Sequence, residues 1–378
     1  MDITAGLPKN VSIGCGSCGY QVSKMRCRKF RVLLIVMLLF GCFVPVSGGI
    51  GNTSLCLPQQ GAFWLGVHPP VQYHATEMDV TNSSIASFAR AVGKKPAIVV
   101  FSHEWGVNKS FPSKQFAQIY ESGATPWVRL MLRSDIHQNK PEPLFTMSRI
   151  LNGAYDAELR NWAVQVKNLG YPVIVEYGTE VNGKWFPWNG YWTGNTHGAE
   201  KFRETYRHIF QVLEKEGASN LIRVYHVNWH SDPDESWNTI AAYYPGDEFV
   251  DIIGVSVYGA LTPKEKNVKP FSEMMDLSYQ EIVALNTSKP IIIAETGTDI
   301  NNEYINPVVW TKDALMNLSS GRWPGVIGIV WWNSAWPNDS TSGYNTSMRV
   351  EEDSTLQELL HNLIGNDSRF VNKTDLTC

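Results

Sequence analysis

The 378-residue sequence is poor in charge: 18% of its residues are Asp, Glu, Lys or Arg, and the formal net charge is −4. So little charge beside 43% hydrophobic residues excludes a disordered chain. No long basic run occurs beyond the first 31 residues, which argues against nucleic acid as the main partner. Long apolar runs are missing as well. The longest covers about residues 32–46, short of the ~20 residues that span a bilayer. There is no phosphate loop, dinucleotide fingerprint or His/Cys metal cluster, so neither a cofactor nor a metal is expected. Cysteine is scarce where it could matter. Of six, Cys15, Cys18, Cys27 and Cys42 fall in the first 48 residues, leaving Cys56 and Cys378 near the two ends of the remainder. A single disulfide joining those ends and two free surface thiols are the open alternatives.

What is present points outward. Lys24, Arg26, Arg28, Lys29 and Arg31 precede the apolar run, and the small residues Ser47, Gly48 and Gly49 follow Pro45. That order is a secretory signal peptide, dividing the chain into an N-terminal extension over 1–48 and one domain over 49–378. Counted from Met25, the signal has ordinary length. Uncleaved, the segment would be the one contact with a membrane. Ten Asn-X-Ser/Thr acceptors lie at Asn10, Asn52, Asn82, Asn108, Asn286, Asn317, Asn338, Asn345, Asn366 and Asn372. Chance would give about three, so a secreted or cell-surface glycoprotein is expected. The 14 Trp are the other surplus. They suggest flat apolar platforms, and sugars carry one apolar ring face.

From Phe63 onward, β-rich runs alternate with helical periodicity. Strands are predicted at 63–68, 97–102, 126–132, 172–178, 222–228, 251–257, 290–295 and 326–332. Helices are predicted near 81–92, 113–122, 155–169, 198–216, 234–244, 271–286, 306–319 and 354–364. Leu159, Trp162, Ala163, Val166 and Leu169 recur at helical spacing before Gly170. Runs such as Ile291-Ile292-Ile293-Ala294 are apolar at consecutive positions, as parallel strands covered on both faces are. Eight such repeats predict an α/β fold, a single (β/α)₈ TIM-type barrel, with a doubly wound open sheet as its rival. No linker divides the domain, a monomer is expected, and the polar tail after Asp339 reads as surface covering.

In such a barrel the chemistry sits at the C-terminal ends of the strands. Strand four ends at Glu176-Tyr177-Gly178-Thr179-Glu180 and strand seven at Ala294-Glu295-Thr296-Gly297. Two carboxylates about 5–5.5 Å apart across a barrel mouth are what a retaining glycosidase needs, one to attack the anomeric carbon and one to protonate the leaving oxygen. A strand-end glutamate can equally be partnered by Arg or Lys. Two together, with Trp185 and Trp188 just beyond the first, favour catalysis.

The sequence resembles glycoside hydrolase family 26, in the clan of (β/α)₈ retaining glycosidases. The likeness rests on Glu180-Val181-Asn182-Gly183-Lys184-Trp185-Phe186-Pro187-Trp188, on Tyr243 through Gly254 leading to Val257-Tyr258-Gly259, and on Ile293-Ala294-Glu295-Thr296-Gly297. It implies that Glu180 is the acid/base and Glu295 the nucleophile. It also implies that Tyr258 donates a hydrogen bond to the nucleophile, that Trp331 is the sugar platform and that Trp185 lines the groove. Trp332, on the other side of the strand from Trp331, is assigned to packing. Trp188, His103 and Trp105 are further candidates for substrate contact, and His68, Asn228 and Trp229 end strands one and five. The sequence departs from the family where Thr179 and Glu176 replace the usual His and Arg. Strand parity aims Glu176 into the barrel, where a carboxylate needs a partner; Arg129 or Arg133 could supply it. The expected function is a retaining endo-β-glycanase, β-1,4-mannan first and β-glucan or xylan second. A catalytically silent sugar-binding barrel is the rival from another class.

Overall fold

The computed structural model describes residues 56–69, 77–337 and 345–374. The predicted signal segment, Cys378 and the acceptors Asn10, Asn52 and Asn338 lie outside the described residues.

Eight parallel strands form the barrel: β1 (Phe63–His68), β2 (Ile98–Glu104), β3 (Thr125–Met131), β4 (Val173–Tyr177), β5 (Leu221–Asn228), β6 (Ile252–Tyr258), β7 (Ile291–Gly297) and β8 (Val326–Trp332). Each pairs with the next, and β1 pairs with β8 from Trp64 opposite Gly328 to His68 opposite Trp332. That last pairing closes the cylinder and excludes the open sheet. The helices Asn82–Val92, Ser113–Glu121, Asp156–Asn168, Thr196–Lys215, Phe271–Val283, Pro307–Ser319 and Ser354–Leu360 lie in the intervals. Helix Asp156–Asn168 buries Leu159, Trp162, Ala163 and Val166 against the sheet, the stripe its periodicity predicts. Among the described residues, no helix is long and apolar enough to cross a membrane.

Two expectations need correction. The helix expected over 234–244 is only Ile240–Tyr243. Thr239 caps it through the Ala242 N–H, and Pro245 follows one residue beyond its end, after Tyr244. The residues ahead of it are committed elsewhere, since Asn238 donates to the carbonyls of Asn182 and Pro233. The tail is not mere covering. Met348, Val350 and Leu356 are buried, and Phe370–Val371 adds a parallel strand to β1. Cys56 is disulfide-bonded.

The barrel interior has two layers. Trp64, Ile98, Val100, Trp127, Ile174, Ile222, Val224, Ile252, Ile292, Ala294 and Val330 pack as a dry apolar cluster separate from the helix-facing core. Gly66 makes room there, because a Cβ would stand 2.7 Å from a methyl of Val330. One strand step further toward the C-terminal ends, the inward residues become polar: His68, Ser102, Glu104, Arg129, Glu176, His226 and Ser256, all at most 3% exposed. Groups so deeply buried must satisfy one another.

Candidate active site

The polar layer opens upward to two glutamates. Glu180 follows β4 on a tight turn. Gly178 has φ +82° and Glu180 itself φ +46°, a left-handed conformation uncommon for a residue with a Cβ. The turn is held on all sides: Val181 N–H donates to the His226 carbonyl, Gly183 N–H to the Glu180 carbonyl, and the Trp188 indole to the Thr179 carbonyl. Strain retained under that many restraints is typical of functional positions. The Trp185 indole N–H donates to Glu180 Oε2 at 2.6 Å.

Glu295 reaches the same space by a different device. Along β7, Ile292 and Ala294 face the interior, so simple alternation would turn Glu295 toward the helices. The register shifts here: Val255 pairs with Ile293 and Ser256 with Glu295, leaving Ala294 as an extra residue. The bulge re-aims Glu295 into the barrel mouth. Its Oε2 accepts from the Tyr258 hydroxyl at 2.8 Å, and its Oε1 lies 3.6 Å from Arg129 Nη2.

Arg129 is the hub. Its Nη1 donates to Glu77 at 3.0 Å, its Nε lies 3.5 Å from Glu176 Oε1, and it also donates to the Thr179 hydroxyl at 3.3 Å. Glu77 in turn accepts from Ser102. Burial works against its charge, but Arg129 and other positive neighbours hold Glu77 down to about 2. Burial raises the Glu295 carboxyl above the ordinary range; Arg129 opposes the rise, and the charges of Glu180 and Glu176 add to it. Glu180 and Glu295 are therefore electrostatically linked across the mouth.

Glu176 and Thr179, the two departures from the family pattern, touch each other: the Thr179 hydroxyl donates to Glu176 Oε1 at 2.5 Å. Glu176 Oε2 accepts from the Trp127 indole at 3.1 Å and faces His226 Nδ1 at 3.0 Å. Of the two arginines considered as its partner, Arg129 serves. Arg133 makes a bidentate pair with Glu104, at 2.8 and 2.6 Å. His226 escaped the sequence reading, although as the lone His inside an apolar strand it was the signal available.

The aromatic expectations divide. The Tyr258 hydroxyl donates to Glu295 and the Trp185 indole to Glu180. The assignment of Trp331 as the platform is corrected: it packs in the outer core and its indole donates to the Met348 carbonyl. Trp332 takes the inward place instead. It stacks on His68 with centroids 3.9 Å apart, and the Arg129 guanidinium lies 5.0 Å over its ring. Burial holds His68 down to about 4, so its ring is neutral at the site near neutral pH. Trp188 is also corrected, being buried against Phe186 at 4.7 Å. So are Trp105, edge-on to Phe145 in the outer core, and His103, whose Nε2 is 3.1 Å from the Asn108 carbonyl. Both belong to the outward parity of β2, since Ser102 and Glu104 take the inward one. Asn228 closes β5 by donating to the His230 carbonyl, beside the half-buried Trp229.

A family model for "Glycosyl hydrolase family 26" matches residues 131–345, more than half of the chain. The chain belongs to glycosyl hydrolase family 26. Among curated relatives, endoglucanase H of Acetivibrio thermocellus is 25% identical over 82% of this chain and 31% of its own length. A mannan endo-1,4-β-mannosidase of Bacillus subtilis is 26% identical over 58% of this chain and 52% of its own. The chain thus spans about a third to a half of the length of these relatives. Among solved structures, the catalytic domain of a Bacillus sp. endo-β-1,4-mannanase of this family superposes with a TM-score of 0.58. It is 17% identical, over 83% of this chain and 89% of that one, a likeness of fold.

Proposed function

We propose that this family 26 protein is an exported, glycosylated, monomeric retaining endo-β-glycanase, with β-1,4-mannan as its first substrate. The observation that carries the reading is the pair of glutamates. β4 and β7 deliver Glu180 and Glu295 to one polar layer by two unrelated backbone devices, and each carboxylate has its own aromatic donor. In the reaction, the Glu295 carboxylate attacks the anomeric carbon while the Glu180 carboxyl gives its proton to the departing glycosidic oxygen. Glu180, now ionised, takes a proton from water, and the water oxygen displaces Glu295 to release a sugar of retained configuration. Tyr258 and Arg129 hold negative charge on Glu295 before attack. Trp185 orients Glu180, and Trp332, inward at the end of β8 between His68 and Arg129, takes the place beside the sugar at the point of cleavage.

A second substrate reading, mixed-linkage β-glucan or xylan, is favoured by one observation. The residue before the acid/base is Thr179, whose hydroxyl is already committed to Glu176 and so does not replace a sugar-contacting His. The test is reducing-end release from mannan, mixed-linkage glucan, xylan and cellulose, with the Glu295→Ala variant as control. Product from one β-glycan that disappears in the variant supports the reading and identifies the sugar. Binding without product from any polysaccharide would instead make this a sugar-binding barrel. Activity retained by Glu295→Ala would overturn the nucleophile assignment.

A further inference from the structure

Beneath the two glutamates runs a buried chain that the proposed reaction does not use. Ser256 Oγ is 2.8 Å from His226 Nε2, and His226 Nδ1 is 3.0 Å from Glu176 Oε2. All three side chains are at most 1% exposed. They come from adjacent strands, β6, β5 and β4, and the ends of the chain lie under the proposed catalytic groups. Ser256 is the register partner of Glu295, and Glu176 is four residues before Glu180. No substrate can reach Ser256, so the arrangement is not a second nucleophile.

The charges explain its purpose. Arg129 faces three carboxylates: Glu77, Glu176 and Glu295. One guanidinium cannot neutralise all three, and Glu295 is the most distant of them, at 3.6 Å. A second cation is needed, and in a family whose members usually have Arg at position 176 this chain has placed a further negative charge there. We propose that His226 is a positioning residue for the Glu180/Glu295 pair: as an imidazolium clamped between Glu176 and Ser256, it balances the carboxylate at 176 and leaves Arg129 to keep Glu295 ionised. The proposal rests on the nucleophile assignment above.

The groups facing His226 are Glu176 from β4, Glu180 from the turn after it, Ser256 from β6 and Glu295 from β7, with Arg129 of β3 behind Glu176. Burial disfavours the imidazolium, but Glu176, Glu295 and Glu180 raise the His226 pKa above its ordinary value. In return His226 opposes the upward shift of Glu295. Loss of the imidazolium therefore makes Glu295 take up a proton at a higher pH.

The experiment is the pH profile of kcat/KM for the full chain, its His226→Gln variant and the double variant Glu176→Gln/His226→Gln. The single variant should move the acid limb up by about one pH unit, a loss of about tenfold below the limb. The double variant replaces a neutral ion pair by a neutral hydrogen-bonded pair, so its acid limb should return close to wild type. A merely structural role predicts the opposite, with the double variant at least as damaged as the single. An unmoved acid limb in His226→Gln, or one displaced equally in both, would overturn the proposal. Should the single variant fail to fold, the wild-type His226 ring resonances decide: an imidazolium at pH 6.5 is expected, and a neutral ring there overturns it. The NMR measurement needs no turnover, so its failure is distinct from failure of the glycanase reading, which Glu295→Ala tests.

Discussion

The two ends of the barrel interior are built from the same eight strands and obey opposite rules. At one end Trp64, Ile174, Ile252 and Ile292 fill space, and each could be exchanged for another apolar group of similar volume. At the other, Glu77, Arg129, Glu176, His226 and Glu295 are members of one electrostatic set, in which removing any one alters the charge seen by the rest. Packing is forgiving in identity and strict in volume. A buried charge network is strict in identity.

The sharpest way to break this contrast is to cut one residue from each end. Arg129→Met leaves three carboxylates without their shared cation and should cost about 3–5 kcal/mol of unfolding free energy, with glycanase activity lost as well. Ile174→Ala should cost about 2–5 kcal/mol through the cavity it opens, yet leave kcat per folded molecule unchanged. Denaturant unfolding together with activity at low temperature separates the two outcomes. Equal loss of activity in both variants would show that the layers are not independent.

A finer cut uses adjacent residues. Trp332→Ala should lower kcat/KM by about 10- to 100-fold through lost stacking and lost cover over Arg129, with a modest change in stability. Trp331→Ala should do the reverse, costing about 3–5 kcal/mol while leaving the kinetics of the folded fraction intact. Steady-state kinetics and thermal unfolding on the same two variants decide which ring is the platform.

The smallest effect is one of pH. The Glu295 carboxyl is raised by its burial, so as pH falls it protonates before an ordinary glutamate would. Activity that needs its charge should therefore fade with an acid limb above about 4.5, where a solvated glutamate would place it. A kcat/KM profile with its acid limb at or below 4.5 would show that the cations outweigh burial.

The strands were readable because parallel strands buried on both faces leave unbroken apolar runs, and the inward direction of Glu176 followed from counting. Counting failed where that same pattern erases parity. Val326 through Trp332 is apolar or Gly at every position, so nothing in the run says which tryptophan faces inward; pairing with β1 and β7 decides it. The strand-end motifs were enough to mark Glu180 and Glu295 as a pair. They could not show His226, because its role exists only through residues 30 and 50 positions away. Nor could they show that Phe370–Val371 joins the sheet, a two-residue strand without a pattern of its own.

The extra residue at Ala294 has a consequence for how this barrel can change. It acts as a phase shift along β7: upstream, the odd positions meet the helices, while downstream the inward aim has moved from even to odd numbers. The barrel floor and the carboxylate at the mouth are therefore set by separate counts. Substitutions that repack Ile292 leave the aim of Glu295 alone, and deleting Ala294 would keep Glu295 opposite Ser256 and inward, whereas pairing Ala294 regularly opposite Ser256 would turn the carboxylate out toward the helices. For this strand, the pairing register after Ile293 matters more to the chemistry than the identity of most of its side chains.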